Sequence, residues 1–188
     1  GYMEGVVRPM TPNDVLDFWF KELSPQDHFR KSDDLDRRIR ERFLQTHRRA
    51  AQSELFFWRD TADGRLAEII VLDQFSRNIF RDDPRAFAQD PLALALAQEV
   101  VFRKLDLDLP KGRRSFVYMP YMHSESKPIH EAAVQLFKTA NLEDGLKYEV
   151  LHKQIIDRFG RFPHRNKILG RTSTKEELEF LKTPGSSF

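Results

Sequence analysis

The chain has no cysteine and only 8 glycines among its 188 residues. Without cysteine it has no disulfide bonds, no thiolate nucleophile and no zinc site with sulfur ligands. No apolar run approaches the roughly 18 residues that suggest a membrane-spanning helix. The first ten residues also lack the basic start and apolar stretch of a secretory signal, so we expect a cytoplasmic protein with no membrane-bound part.

The chain also lacks a large net charge of either sign. Lys and Arg total 31 against 29 Asp and Glu, which gives a net charge of +2 and no general case for nucleic-acid binding. What is abundant is phenylalanine, with 16 residues, and we interpret most of them as packing material between helices. The length predicts a single domain over residues 1–188, with flexible ends at 1–10 and 184–188.

Hydrophobic spacing predicts helices from end to end, and so an all-α fold. Start signals recur along the chain: Thr11 before Pro12, and Asp90 before Pro91. The run at 69–72 could be a buried strand, but its length and flanks favour a buried helix. The other predicted helices cover about 33–52, 65–80, 91–104, 113–118 (ending before Pro120), 128–140 and 143–159, followed by a loop at 162–170 and a last short helix after Ser173 or Thr174.

Four polar residues follow the apolar run at 69–72. Asp73 and Arg77 have the spacing of an ion pair within one helix, and Gln74 and Asn78 repeat that spacing on the adjacent face. Because such groups usually satisfy one another, we predict a structural polar network here and no catalytic role.

His123 and Glu125 stand two residues apart in a predicted loop. An imidazole and a carboxylate at this spacing suggest a weak candidate for general acid–base catalysis. The H-x-E pattern also occurs in zinc deaminases, but their cysteine ligands cannot exist here. No pair of histidines has the helical spacing of a metal site, so we predict neither a metal nor a cofactor.

The segment 152–171 is strongly basic. It carries six Lys and Arg residues against Asp157 alone, an excess of five positive charges. This could be a solvated face, or an anion site in which guanidinium groups hold a phosphate or carboxylate. His152 lies on the apolar face of its helix, where it is either a satisfied core histidine or a pocket residue. Phe159 and Phe162 are more typical of core anchors than of base-stacking groups.

Long ordered blocks of the sequence resemble the bacterial family of unknown function known as DUF924. These blocks are VLDFWF (15–20), SELFFW (53–58), LDQFSRNIFR (72–81), RAFAQDPLALALA (85–97), YMPYMHSES (118–126) and IIDRFGRFPHRNKILGRTST (155–174). The resemblance implies antiparallel helix pairs in a right-handed array like that of tetratricopeptide-repeat (TPR) proteins. The chain departs from the family pattern at Ser76, where proline is usual, and at Ser126, where an acid is usual.

The resemblance transfers no activity, so three hypotheses stay open. The first is a pocket for a small anionic ligand or an acidic peptide. The second is a hydrolase or lyase in which Glu125 orients His123, and the third is a TPR-like interaction scaffold. The residues expected to bind the ligand are His123, Glu125, His152, Arg161, His164, Arg165 and Asn166.

Overall fold

The structure, a computed structural model, describes residues 8–188 and contains no β-strand within them. The described residues form ten α-helices connected by short turns. The helices are α1 (Pro12–Asp17), α2 (Asp33–Ala51), α3 (Ala62–Ile70), α4 (Ser76–Ile79), α5 (Asp90–Phe102), α6 (Lys111–Met122), α7 (Lys127–Thr139), α8 (Glu143–Phe159), α9 (Asn166–Leu169) and α10 (Lys175–Leu181).

Helix starts follow the predicted capping chemistry. Thr11 accepts a hydrogen bond from the amide of Asp14, whose carboxylate binds back to the Thr11 amide, and Pro12 occupies the first helical position. Thr174 and Glu177 form the same reciprocal pair at α10. At the other end of α8, Gly160 adopts a positive φ of 74°, the conformation that glycine allows without strain.

A buried helical segment over residues 62–79 runs through the centre of the fold. It consists of α3, a π-helical turn at Val71–Phe75 and α4, and the residues from Leu66 to Leu72 are almost fully buried. The prediction of a buried helix here, and not a strand, is confirmed. The π turn holds Asp73 inside the protein, in keeping with the frequent use of such turns at functional positions.

Three local predictions were wrong. Helix α6 continues through Pro120 to Met122, because the buried residues on both sides of the proline favour the helix over the lost hydrogen bond. His123 is the C-cap residue of this longer helix and begins the short connection to α7, so its predicted place in a loop before a helix holds. The predicted loop at 162–170 contains a 3-10 turn (Pro163–Arg165) and α9. Asp90 is the first residue of α5, and it makes no capping hydrogen bond because its carboxylate binds arginines elsewhere.

One large core joins the first seven helices. Phe18, Phe43 and Phe75 contact one another there, with ring centres 4.8–6.1 Å apart, and Trp19 lies against Phe75. A smaller cluster around Ile156 and Phe162 supports the C-terminal part. The packing role predicted for most of the phenylalanines does not extend to the five that are exposed to solvent: Phe29, Phe56, Phe57, Phe102 and Phe188.

Helices α6, α7 and α8 pack consecutively and bring distant parts of the chain to one end of the fold. In the tail, Ser186 is buried and the Phe188 ring stacks on His152 at 3.7 Å between ring centres. Of the N-terminal stretch predicted to be flexible, residues 1–7 lie outside the described part, and Arg8 pairs with Asp14. Within residues 8–188, no helix combines the length and the apolar character needed to cross a bilayer.

Candidate functional site

A cavity of about 350 Å³ lies between α5, the end of α6 and the 163–169 segment. The lining combines apolar side chains, which together form its apolar wall, with charged and polar ones. The segments 118–126 and 160–171, which the sequence could not place relative to each other, both contribute to it. The lining residues are Pro84, Phe87, Ala88, Asp90, Pro91, Leu94, Pro120, His123, Ser124, Glu125, Arg165 and Leu169.

Asp73 and His123 form a tightly held pair beside the cavity. The Nδ1 atom of His123 lies 2.7 Å from Oδ1 of Asp73, whose side chain is only 1% exposed. The other carboxylate oxygen of Asp73 accepts a hydrogen bond of 2.9 Å from Gln74. The partner of His123 is therefore Asp73, fifty residues away, and not Glu125 as the sequence predicted.

Arg77 links Asp73 to α5. Its guanidinium group donates two parallel hydrogen bonds of 2.9 Å to Asp90 and a third to the backbone carbonyl of Asp73. The predicted ion pair with the Asp73 carboxylate exists only as a longer contact of 3.6 Å. Two-point binding between a guanidinium and a carboxylate fixes orientation as well as charge, so Arg77 holds the start of α5 against the central helical segment.

Arg165 is the second arginine of this site. Its side chain is 7% exposed and lies over the rings of Phe87 and Phe162 at 4.5 and 4.7 Å. It donates one hydrogen bond of 2.9 Å to the backbone carbonyl of His123, whereas Asp90 is 3.7 Å away. Its buried Nε atom has no partner among the described residues. We call Asp73, Arg77, Asp90, His123 and Arg165 the cavity cluster.

The electrostatics of the cavity cluster favour a charged Asp73 and a neutral His123. Burial alone would raise the pKa of Asp73, but the charge of Arg77 and the hydrogen bonds from His123 and Gln74 hold it below the usual value. Burial and the charge of Arg77 lower the pKa of His123, against the opposing effect of Asp73 and Asp90. Burial and the proximity of Arg77 also lower the pKa of Arg165, to about 10, because its charge is incompletely compensated.

A second set of polar residues is paired much more completely. Arg161 binds Glu177 through two hydrogen bonds of 2.7 and 2.9 Å, and Arg171 binds Glu125 in the same way at 2.8 and 3.0 Å. Asn166 joins the two pairs, since its amide oxygen accepts from Arg171 and its nitrogen donates to Glu177 at 3.5 Å. We call Glu125, Arg161, Asn166, Arg171 and Glu177 the C-terminal ion-pair cluster.

Glu125 also ties the two segments together. It accepts a hydrogen bond of 2.7 Å from the backbone amide of Phe162 in addition to those from Arg171. Burial would raise its pKa, but these bonds keep the pKa below its ordinary value, so it is a bound carboxylate. Arg161 and the Thr174 amide similarly lower the pKa of Glu177 to about 2.

The excess positive charge of segment 152–171 is mostly neutralised in space. Lys153 pairs with Asp157 inside the segment, while Arg158, Arg161 and Arg171 pair with carboxylates outside it. Two of those carboxylates, Glu176 and Glu177, belong to α10, and the third is Glu125. The sum of charges along the segment overstated its local charge, because carboxylates from outside the segment lie beside its arginines.

Two further histidines near the cavity, His152 and His164, have pKa values that burial lowers well below neutral pH. His152 donates a hydrogen bond of 2.7 Å from Nδ1 to the Tyr148 carbonyl, and burial lowers its pKa to about 3. Burial lowers the pKa of His164 to about 4, and its buried Nδ1 has no partner in residues 8–188. His130 uses both ring nitrogens, on Glu149 and on the Ser124 carbonyl. Among the described residues, no three potential ligands are grouped to hold a metal ion.

The predicted network around Asp73 divides into two parts. Gln74 and Arg77 do contact Asp73, but Asn78 binds the Asp36 carboxylate of α2 at 2.9 Å. Asp36 is also bound by Arg81 at 2.6 and 3.0 Å. Asn78 thus fastens α2 to α4 and lies apart from the cavity cluster.

Three residues of these clusters were not recognised from the sequence as site residues. Asp90 and Glu177 were identified only as helix-start residues, and Arg171 only as part of a basic segment. The one local signal was that each belongs to a long motif block or capping pattern. Their charged partners are 13–75 residues away, so spacing along the chain could not reveal them.

Comparison with known proteins agrees with this architecture. The model of the family described as "Bacterial protein of unknown function (DUF924)" matches residues 15–185. A solved structure of a protein of unknown function from Agrobacterium tumefaciens is similar over 91% of this chain and 96% of its own, with 38% identity and a TM-score of 0.85. No curated protein matches the chain. The chain belongs to the DUF924 family of bacterial proteins of unknown function.

Proposed function

We propose that this protein binds a small organic acid in the cavity, with the carboxylate against Arg165 and the apolar body against the apolar wall. The observation that carries the proposal is the state of Arg165, a buried cation with incomplete pairing at the edge of a cavity. A buried charge is costly unless it is paired and hydrogen-bonded, so an anion at this position is stabilising.

The surroundings of Arg165 favour an external anion over an internal one. Asp90 is the nearest carboxylate, but both of its oxygens already accept hydrogen bonds from Arg77. Glu125 is held by Arg171 and by the Phe162 amide. With these acids occupied, Arg165 retains unused donors, and guanidinium groups bind carboxylates in two-point geometry.

The shape and lining of the cavity indicate the kind of acid. A volume of about 350 Å³ is at the small end of the range for ligand pockets, which run from roughly 300 to 1,000 Å³. Phe87, Pro91, Leu94 and Leu169 line it with apolar surface. A short aliphatic or aromatic acid fits this combination better than a free phosphate, which offers nothing to the apolar wall.

Other expectations remain proposals. Arg161 and Asn166 were expected to hold the anion, but both are engaged in the C-terminal ion-pair cluster, so we rest the proposal on Arg165. The consecutive packing of α6, α7 and α8 supports a TPR-like array, whose right-handed arrangement stays a prediction. The cytoplasmic location, an acidic peptide as ligand and a scaffold role also stay predictions.

A thermal-shift measurement tests the binding. We expect hexanoate to raise the melting temperature by about 3 °C at ten times its dissociation constant, because such binding adds about 1.4 kcal/mol to the free energy of unfolding. Hexylamine, which has the same body and the opposite charge, should give no shift. Arg165→Gln should abolish the response to hexanoate.

Arg161→Gln is the matched control, since it removes a paired arginine from the other cluster and should leave the response intact. Ala88→Trp provides a second route that keeps every charged group, because Ala88 is an exposed residue of the cavity lining. Filling that position should also remove the response. An unchanged response in Arg165→Gln, or equal shifts from hexanoate and hexylamine, would show that the proposal is wrong.

A further inference from the structure

We propose that Asp73 and His123 form a general-base dyad and that the acid bound at Arg165 is a substrate, a small 2-oxo acid whose C3 proton is taken by His123. This inference rests on the proposed binding function and adds a reaction to it. Its parts are a fixed imidazole, a free ring nitrogen, a neighbouring cation and an apolar wall, all at one cavity.

The hydrogen bonds define which nitrogen of His123 carries the proton. Asp73 is ionised, and its Oδ1 faces Nδ1 at 2.7 Å, so Nδ1 is the donor. Gln74 occupies the other oxygen and holds the carboxylate in place. In the neutral ring, Nε2 then bears the lone pair, which is the form that accepts a proton.

Nε2 of His123 has no hydrogen-bond partner within residues 8–188. The contrast with His130 is direct, because His130 uses both of its ring nitrogens on protein groups and is fully buried. His123 keeps 15% of its side chain exposed and lines the cavity. Its ring is therefore oriented like that of His130 by a buried carboxylate, but its second nitrogen is left for another molecule.

His123 and Arg165 are also connected directly. Arg165 donates a hydrogen bond to the backbone carbonyl of His123, which fixes the guanidinium beside the residue that carries the base. A carboxylate held by Arg165 thus lies next to the imidazole. Positioning of this kind is a large part of what a binding site contributes to catalysis.

Charged and titratable groups surround the ring of His123, and burial together with Arg77 keeps it neutral near pH 7. Asp73 and Arg77 approach from the central helical segment, Asp90 from α5, His152 from α8 and Arg165 from the 163–165 turn. Burial and Arg77 lower the pKa of His123 and outweigh the acids. A base with a pKa below 6.5 is unprotonated at neutral pH and ready to accept.

The proposed step is balanced without any further reactant. The C–H bond next to the keto group breaks, its proton bonds to Nε2, and its electron pair forms the enolate of the 2-oxo acid. The imidazolium keeps its Nδ1 proton, which is hydrogen-bonded to Asp73, and Arg165 stabilises the added negative charge on oxygen. Return of a proton to carbon restores the substrate. The cavity supplies a base and a cation, and these are the two groups that this step needs.

Deuterium exchange measures the step directly. In D₂O the wild-type protein should exchange the C3 protons of 2-oxohexanoate, and proton NMR measures this exchange. The exchange rate should increase with pH and reach its plateau before pH 6.5. His123→Gln should lower the rate at least about 100-fold. Asp73→Asn should do the same, because the amide donates to Nδ1 and leaves the proton on Nε2. His28→Gln, at a histidine that does not line the cavity and stacks on Trp19, is the control and should exchange normally.

Binding and reaction are separated by measuring the thermal shift with 2-oxohexanoate on the same samples. Binding that depends on Arg165, together with exchange lost in both dyad variants, supports the dyad. Binding without exchange in the wild type overturns the dyad and leaves the proposed function standing. Normal exchange in folded His123→Gln overturns it as well, and it remains decisive if Asp73→Asn fails to fold. No response to the acid overturns the proposed function itself.

Discussion

The cavity cluster and the C-terminal ion-pair cluster are built from the same kinds of residue, yet they differ in how far those residues satisfy one another. In the C-terminal cluster each arginine binds a carboxylate through two hydrogen bonds, and Asn166 connects the pairs. In the cavity cluster Arg77 takes both oxygens of Asp90, and Arg165 is left with a backbone carbonyl.

The completeness of pairing distinguishes the structural cluster from the candidate binding site more clearly than residue type does. Completely paired groups have little left to offer a ligand, and their removal is felt in stability. Incompletely paired groups beside a cavity are costly to keep and gain from a bound partner. Arg161 and Arg165 were equal candidates in the sequence, and only their partners distinguish them.

The largest expected effect is on stability at acid pH, where two histidines near the cavity and the C-terminal ion-pair cluster act in different pH ranges. The pKa values of His152 and His164 are lowered to about 3 and about 4, so below pH 6.5 the unfolded chain binds more protons than the folded one. Stability should fall from pH 6.5 to 4, by about 3 kcal/mol for each histidine at about 1.4 kcal/mol per pKa unit.

Glu177 loses a negative charge when it is protonated, whereas the histidines gain a positive one, and it is protonated at lower pH. Its pKa is depressed to about 2, so its contribution is present above pH 4.5 and is lost as the pH falls toward 2. Urea denaturation at a series of pH values checks both parts. His152→Gln should flatten the slope between pH 6.5 and 4, and Glu177→Gln should not; the reverse pattern would contradict the assignment.

The next effect is the loss of a partner in the C-terminal ion-pair cluster. Glu177→Ala removes the carboxylate that binds Arg161 and that accepts the Thr174 amide at the start of α10. We expect a loss of about 3 kcal/mol in the free energy of unfolding at pH 7. Glu176→Ala is the matched control on the same helix. Its pair with Arg158 is at least half exposed, so the change should stay within about 0.5 kcal/mol.

Hexanoate should shift the melting temperature of Glu177→Ala as much as that of the wild type. A lost response would show that the C-terminal cluster takes part in binding, and the distinction between the two clusters would fail.

The smallest expected loss of stability is in the cavity cluster. Asp90→Asn removes the charge that Arg77 and Arg165 share, and should cost about 2 kcal/mol. The same change should increase the affinity for hexanoate several-fold, since a competing carboxylate is gone from beside Arg165. Titration calorimetry measures the affinity. A weaker affinity in a folded Asp90→Asn protein would mean that Asp90 itself supports the ligand.

The sequence was sufficient for most of the fold. Capping residues such as Thr11 and Thr174, and the apolar stripe of α7, predicted helices that the structure contains, because these signals are local. It failed at Pro120, where burial on both sides outweighs a lost hydrogen bond. It also failed at 162–170, whose short helix is held by contacts with α10 and Glu125.

The candidate site was predictable in its residues but not in its pairing. His123 and Arg165 were selected as polar residues of two motif blocks, and both line the cavity. Asp73 was assigned to a structural network because Arg77 stands four residues away, whereas the closest side-chain partner of its carboxylate is His123, 50 residues further on. Pairing at that distance is a product of the packing of α6 against the central segment, which no spacing rule encodes.

The links between residues 123–125 and 162–165 also determine how a molecule reaches the cavity. Arg165 holds the carbonyl of His123, and Glu125 holds the amide of Phe162, so this side of the opening is fastened at two points. The opposite rim is formed by Pro84 and Ala88, which are exposed. We therefore expect ligands to enter and leave past residues 84–88, and the closure of that route would govern how long a bound acid stays.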